Sequence, residues 1–331
     1  MGAPFSLAAA RSAGQHAGHM SERIRVGVAG VGSMGKNHAR VLAALESADL
    51  TAIFDLDQAR AEELASQYGA KAVSTLEDFA AEVDAAAVAV PTVAHRQVAG
   101  FLLEQGKHVL VEKPLSESLT EAQELVALAE SRNLVLQVGH IERFNPVMRE
   151  LEARIKQPRF IEATRLSPFP NRSMDIGVVL DLMIHDLEII LHLVRSPVVS
   201  VDAVGVPVLT RREDIANARL RFANGCVANV TASRVSDKKM RKIQVFHTDG
   251  YISLDYQEQS GHVYRREGMS IAREDVPVEK DEPLKLELAA FVECARQGAT
   301  PVVSGQQGTD ALRLAIIITE AIEKNAPVHL S

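Results

Sequence analysis

Cysteine is nearly absent from this chain. Cys226 and Cys294 are its only two, too few for a disulfide framework or a cysteine metal site, and neither has the setting of a nucleophile. Their scarcity points to a reducing cytoplasm. Long apolar runs are missing as well: none approaches the roughly eighteen residues a membrane span requires. Nor is there an excess of positive charge. The 36 Lys and Arg are outnumbered by 43 Asp and Glu, a formal charge of -7, which argues against a nucleic-acid surface and means that an anionic ligand needs a local basic pocket. Internal repeats, low-complexity tracts and Pro-rich linkers are also lacking. What remains, 331 residues with 47% hydrophobic and 24% charged side chains, is the balance of a soluble globular protein with room for two domains, each with its own core.

The opening "MGAPFSLAAARSAGQHAGHM" is small and Gly/Ala-rich, shows neither helical nor strand periodicity, and lacks the apolar region of a signal peptide. Residues 1–21 are therefore expected to be a disordered extension. Met20 directly precedes "SERIRVGVAG", so it is an alternative start that would remove nothing the fold needs. From Ile24 to Val138 short aliphatic runs ("IRVGVA", "LTAIFD", "DAAAVAV", "KHVLVEKP", "LVLQVG") alternate with amphipathic segments. Helix punctuation falls between them: capping boxes at Thr75 with Asp78 and Ser118 with Glu121, and a terminal glycine at Gly106. This alternation predicts an α/β fold opening with a doubly wound parallel sheet over residues 22–145. Beyond "RFNPVMRELEARIK" the pattern changes to longer alternating runs, with hairpin turns at Asn224-Gly225 and Asp249-Gly250. Residues 146–331 are thus expected to form a second α/β domain with a large open, mostly antiparallel sheet. An opening helix is expected before that sheet, and a last helix at about 306–324.

"IRVGVAGVGSMGKNHARVL" holds Gly30-x-Gly32-x-x-Gly35 directly after a strand and at the start of a helix. In that context the first glycine permits a tight turn and the second lets the backbone approach a pyrophosphate. The third lets the helix pack on the strand, and the helix N-terminus faces the negative charge. Ser33 and Met34 complete the loop. Asp55 ends the second strand about twenty residues further on, where a carboxylate accepts from the adenosine ribose hydroxyls and repels a 2'-phosphate. NAD is therefore favoured over NADP, although Asp57 competes for the assignment and Arg60 is a residue a phosphate would attract. Pro91, Thr92 and His95, in "VPTVAHRQV", fall at the carboxyl edge of the sheet, where ligands bind. Glu112-Lys113-Pro114 ends another strand at the same edge, and the proline restricts Lys113 to an extended conformation.

The stretch "VVLDLMIHDLEIIL" raises the question of why so apolar a helix carries acids and a histidine. At roughly 100° per residue, Asp181, His185, Glu188 and His192 fall within about 60° of one another, opposite Met183, Leu187, Ile190 and Val194. One straight helix cannot wrap four ligands around an ion, and His192 lies about 16 Å from Asp181 along the axis. No metal site is expected, and Glu188 and His192 are expected to be solvated or structural.

Gly30-x-Gly32-x-x-Gly35, Asp55, Glu112-Lys113-Pro114 and Asp181-x-x-x-His185 occur in an order and spacing that resembles the glucose-fructose oxidoreductase, inositol dehydrogenase and rhizopine catabolism family over about residues 22–330. The resemblance implies a Rossmann domain and an α/β domain whose open sheet often serves oligomer contacts, with the active site between them. It implies catalytic roles for Lys113, Asp181 and His185. The chemistry agrees: alcohol oxidation needs a base, which a histidine titrating near neutrality suits, while a lysine steadies the alkoxide and an aspartate one turn away orients either partner.

"GHIERFNP" and "LSPFPNRSMDIGVVLDLMIHD" are more particular. They resemble a branch of that family whose members oxidise the 3-hydroxyl of UDP-N-acetylglucosamine with NAD, after which transamination leads to a 2,3-diamino sugar of the lipid A type. On that reading His140, Arg143, Asn145, Arg165, Arg172 and Arg234 are candidates to touch the sugar and diphosphate, with Lys238, Lys239 and Arg241 as further anion partners, because guanidinium pairs bidentately with phosphate. A UDP-N-acetylglucosaminuronate, a free sugar or inositol are the competing substrates, and a catalytically silent NAD-binding regulator is the competing class. A homodimer or homotetramer is expected, with a pathway aminotransferase as a possible partner.

Overall fold

The computed structural model describes residues 23–169, 176–325 and the backbone of 328–329; the expected disordered extension, Met20 and Arg172 lie outside the described residues. The first sheet has six parallel strands: β1 (Ile24–Ala29), β2 (Ala48–Phe54), β3 (Lys71–Val73), β4 (Ala85–Val88), β5 (His108–Glu112) and β6 (Leu136–Gly139). Their order is β3-β2-β1-β4-β5-β6. Val26, Val28, Ala86, Val88, Val109 and Val111 are fully buried, as continuous aliphatic strands must be when helices cover both faces. Three-residue β3 is too short to show alternation and escaped the sequence reading.

The crossovers are α1 (Ser33–Ala44), α2 (Gln58–Tyr68), α3 (Leu76–Glu82), α4 (His95–Glu104) and α5 (Leu119–Ser131). Ser118 and Glu121 form the expected reciprocal box at α5. At α3 only half of it forms: Thr75 Oγ1 accepts from the Asp78 N–H at 3.1 Å and donates to the Asp78 carboxylate at 2.8 Å. Aspartate is one methylene shorter than the usual glutamate at this position, and here it bonds the hydroxyl instead of the cap amide. Gly106, at φ +74, follows α4.

After a 3-10 turn at Ile141–Phe144, α6 (Pro146–Arg154) leads to the second sheet. Its strands are β7 (Phe160–Leu166), β8 (Val198–Val206), β9 (Ile215–Phe222), β10 (Val227–Ser233), β11 (Met240–His247), β12 (Gly250–Asp255), β13 (Ser260–Glu267), β14 (Ser270–Asp275) and β15 (Val328–His329). The order is β14-β13-β12-β11-β7-β10-β9-β8-β15, antiparallel except for β7 beside β10. Both expected hairpins form: Asn224-Gly225 joins β9 to β10 and Asp249-Gly250 turns β11 into β12.

The long apolar helix does not precede the sheet as expected; it follows β7. It opens with a π turn at Val179–Met183 and continues as α7 (Ile184–Val194). Met183, Leu187, Ile190 and Val194 sit in the second sheet's core. Finally α8 (Pro283–Gln297), unanticipated, returns to the first sheet, where Leu288 and Phe291 join Val26, Leu42 and Leu110. The last helix, α9 (Gly305–Lys324), contributes Leu312 to one core and Leu314, Ala315 and Ile318 to the other. Among the described residues no helix is long and apolar enough to cross a membrane.

Candidate active site

A cavity of about 770 Å³ opens at the carboxyl edge of the first sheet and extends to α7 and β11. This is where the strand order reverses between β1 and β4, so the loops after them diverge and leave a cleft. Gly30 turns at φ +86, and a Cβ there would press on Val90 N at 2.7 Å; one at Gly35 would strike Gly30 O at 1.8 Å. At Gly32 an added Cβ meets nothing within 4 Å, so the loop is tight against the protein and open toward the cavity, as a pyrophosphate cradle must be. Asp55 holds this loop: Oδ2 accepts from Val31 N–H at 2.7 Å and Oδ1 from Asp57 N–H at 2.8 Å. Lone pairs remain for ribose hydroxyls. Gly30, Gly32, Met34, Asp55, Pro91, Thr92, His95, Glu112 and Lys113 line the cavity, whereas exposed Ser33 and buried Gly35 do not. Arg60 also lines it, paired to Asp57 at 3.3 Å. His95 is buried, its ring nitrogens 2.9 Å from Pro114 O and 3.0 Å from Val90 O. Burial lowers its pKa, so a neutral ring donates to one of them and ties the loops after β4 and β5 together.

Lys113, Asp181 and His185, separated by up to 72 positions in the chain, line the same cavity. Lys113 Nζ donates to the Asp181 backbone oxygen at 2.6 Å and lies 3.4 Å from Oδ1. The π turn places that carbonyl and carboxylate together at the lysine, a recurrent use of π turns at functional sites. His185 has its Nδ1 buried without a protein partner, and its ring meets the His140 ring edge-on at 5.9 Å. Burial, then the positive charge of Lys113, pushes the His185 pKa well below the ordinary 6.5. His140 follows, down to about 3 by burial and then Lys113. Both imidazoles are neutral at physiological pH.

The polar stripe on α7 divides. Asp181 and His185 face the cavity; Glu188 and His192 line a separate one of about 410 Å³. Glu188, expected to be solvated or structural, is buried and pairs with Arg143 at 2.8 Å; burial brings its pKa up to about 7 against the pull of that arginine. His192 lies 2.8 Å from Glu152. Arg143 is thus turned away from the cavity. Asn145 caps α6 and donates to Tyr256 O at 2.9 Å, and Arg234 is fully buried with its Nε on Asp214 at 2.8 Å. His140 stands behind His185. Of the anion candidates, Arg165 reaches the wall, but its guanidinium is committed to both oxygens of Asp186, at 2.8 and 3.0 Å, and to Glu142 at 2.9 Å. Arg241 lines the cavity with a side chain 37% exposed and gives one N–H to Glu142 at 3.1 Å. Glu142 and Asp186 were missed, although they adjoin singled-out residues in "HIERFNP" and "IHDLE". Among the described residues no group of three or more His, Cys, Asp or Glu is arranged to hold a metal ion.

A dinucleotide sheet with an acid at the ribose position, and a neutral histidine beside a lysine at the far end of the cleft, defines a NAD-dependent dehydrogenase. The chain belongs to the GFO/IDH/MocA oxidoreductase family: residues 24–140 match the model described as oxidoreductase family, NAD-binding Rossmann fold, and residues 148–253 match the GFO/IDH/MocA C-terminal domain. It is 37% identical to UDP-N-acetylglucosamine 3-dehydrogenase of Acidithiobacillus ferrooxidans over 91% of this chain and 97% of that one. That enzyme's solved structure superposes with a TM-score of 0.88, covering 92% of this chain and 99% of that one. Identity to scyllo-inositol 2-dehydrogenase (NAD(+)) of Bacillus subtilis is 28%, over 94% of this chain and 97% of that one. Levoglucosan dehydrogenase in complex with NADH and levoglucosan shares the fold at TM-score 0.84 and 20% identity, covering 93% and 99%.

Proposed function

We propose that this enzyme oxidises the 3-hydroxyl of UDP-N-acetylglucosamine with NAD, and that the ketone is the substrate of a pathway aminotransferase making a 2,3-diamino sugar. The observation carrying the sugar assignment is the 37% identity, over nearly the whole chain, to an enzyme of that name. Residues 22–145, with α8 packed against them, hold the cofactor, and the second sheet with α7 supplies the sugar side.

Gly30, Gly32, Met34 and Asp55 would hold the pyrophosphate and adenosine ribose, with Pro91, Thr92 and Glu112 along the rest of the cofactor. Bound NAD supplies the hydride acceptor. His185, neutral because it is buried beside Lys113, takes the hydroxyl proton. Lys113 donates to the same oxygen and stabilises the charge that grows on it, while Asp181 holds Nζ in place through its carbonyl and carboxylate. Arg241 pairs with the diphosphate; Arg165 holds the wall to which Arg241 is fastened through Glu142.

Half-buried Phe160, Phe246, Tyr251 and Tyr264 form a row on the face of the second sheet away from α7, with successive centroids 5.6, 4.8 and 4.3 Å apart. We assign this face to a homodimer or homotetramer in the cytoplasm.

The test incubates purified protein with NAD and a panel of UDP-sugars, inositols and free hexoses, with aminotransferase and glutamate to trap the ketone. Turnover of UDP-N-acetylglucosamine above the rest is expected. Preference for its uronate or for a free polyol would overturn the assignment.

A further inference from the structure

The sugar chemistry leaves one group of ionisable side chains unused, packed under Glu112. Leu110 and Glu112 of β5 pair in register with Gln137 and Gly139 of β6, so all four face the side covered by α1 and α8. His38 descends from α1 and Glu287 from α8; His38, Gln137 and Glu287 have no exposure at all. His38 Nε2 lies 2.8 Å from Glu112 Oε1. A Cβ at Gly139 would stand 3.1 Å from the Glu112 carboxylate, which shows how closely that acid is laid against the sheet. Gln137 Nε2 donates to the backbone oxygen of Glu287 at 3.3 Å. The Glu287 carboxyl has no partner on either oxygen, and neither do His38 Nδ1 and Gln137 Oε1 in the same space.

A carboxylate with no exposure to solvent and no donor among the protein groups around it is costly to keep charged. Two carboxyls near enough in a low-dielectric interior to feel one another's charge resist ionising together. Glu112 has His38 as a partner and Lys113 as the next residue, so the negative charge settles there and the proton stays on Glu287. The other groups near Glu287 do not alter this. Gln137 is neutral, Glu142 is bound to Arg165 and Arg241, and Arg143 is bound to Glu188. Arg40 of α1 and Glu282, the residue before α8, pair with each other at the surface. Burial, then the charge on Glu112, drives the Glu287 pKa well above 4.5. For Glu112 burial works in the same direction, yet the His38 hydrogen bond and charge, with Lys113, hold its pKa below the ordinary value.

We propose that Glu287 is a positioning residue of the cofactor site: it carries a proton that leaves the negative charge on Glu112 at the nicotinamide end of the cavity, and it releases that proton to solvent in part when the oxidised cofactor brings a positive ring there. Reciprocity follows from linkage. A positive ring favours an ionised Glu287, so an ionised Glu287 favours the positive ring, and the affinity for NAD+ relative to NADH rises with pH as Glu287 titrates. The neutral reduced ring exerts no such pull. The inference rests on a nicotinamide at the Lys113 end and not on the identity of the sugar, so loss of the UDP-sugar assignment leaves it standing.

Infrared spectroscopy of the cofactor-free full chain at neutral pH should show the carbonyl stretch of a protonated carboxyl, and Glu287→Gln should remove it. Calorimetric titration with NAD+ and with NADH across a pH series should show the affinity ratio rising about fivefold or more in the parent protein, within the usual range of coupling between sites, and staying flat in Glu287→Gln. Glu287→Met, with an apolar chain of similar length, is a second variant that should also flatten the ratio. An infrared spectrum unchanged by Glu287→Gln, or a pH-dependent ratio surviving in either variant, overturns the proposal.

Discussion

The roles proposed for Lys113 and His185 depend on what surrounds them. A lysine ending a strand is ordinary; here its ammonium is held by a backbone carbonyl at 2.6 Å in the cavity that receives a buried, neutral imidazole. Replacing His185→Asn or Lys113→Met should lower kcat by about a hundredfold or more, the usual worth of a positioned proton-transfer group, while NAD still binds by fluorescence titration. Retained turnover in either variant would remove that residue from the mechanism. The lowered His185 pKa has a definite sign in kinetics: the base form persists as pH falls, so the acid limb of kcat/KM should lie below pH 6.5. A limb at or above that value would contradict the burial argument. The same shift acts on stability. The unfolded chain binds this proton more readily, so the contribution is complete above 6.5 and is lost on acidification through the lower folded value. Asp55 likewise acts by its charge. Asp55→Asn should reduce the preference for NAD over NADP, read as a kcat/KM ratio, by about tenfold, equal to ~1.4 kcal/mol.

At the scale of elements, the decisive piece is β7 with the helix that follows it. Arg165 on β7 reaches Asp186 on α7 and Glu142 in the 3-10 turn, both buried, so one guanidinium fastens the strand, the helix that carries His185 and the exit from the first sheet. Removing one member of such a network leaves uncompensated buried charge. Arg165→Met should therefore cost about 3 to 5 kcal/mol in chemical denaturation and loosen His185, one residue from Asp186. A loss below about 1 kcal/mol would mean that the acids find other partners. The π turn has a related consequence: it places Asp181 and His185 at the cavity while the continuing α7 carries Glu188 and His192 to a different one, which ordinary helical spacing does not anticipate.

Over the whole molecule, the chain returns to where it began. α8 covers the first sheet and α9 enters both cores, so the first sheet is incomplete without residues far beyond 145. A fragment ending there would expose the apolar surface that Leu288 and Phe291 cover. It should lack a cooperative thermal transition and bind NAD weakly, checked by circular dichroism and calorimetry; a sharp transition in the fragment would show that α8 is dispensable. On the open sheet face, Tyr251→Glu should shift sedimentation toward a smaller species, since a charge set into a row of stacked rings opposes burial against a second copy.

Local signals made much of this legible. The glycine loop, Asp55, the Ser118 box and the two hairpin turns rest on backbone geometry and short-range hydrogen bonds, which neighbouring residues determine by themselves. Lys113, Asp181 and His185 were grouped only through the family resemblance, since no local signal links residues up to 72 positions apart; the structure brings them to one cavity. Which arginine meets ligand and which meets an internal acid was not legible: Arg143, Arg165 and Arg234 look alike in the chain, and only packing brings Glu188, Asp186 and Asp214 against them. The return of α8, the π turn and the closed space around Glu287 were likewise decided by tertiary structure, because burial, and with it the charge a side chain can carry, depends on contacts between residues distant in the chain.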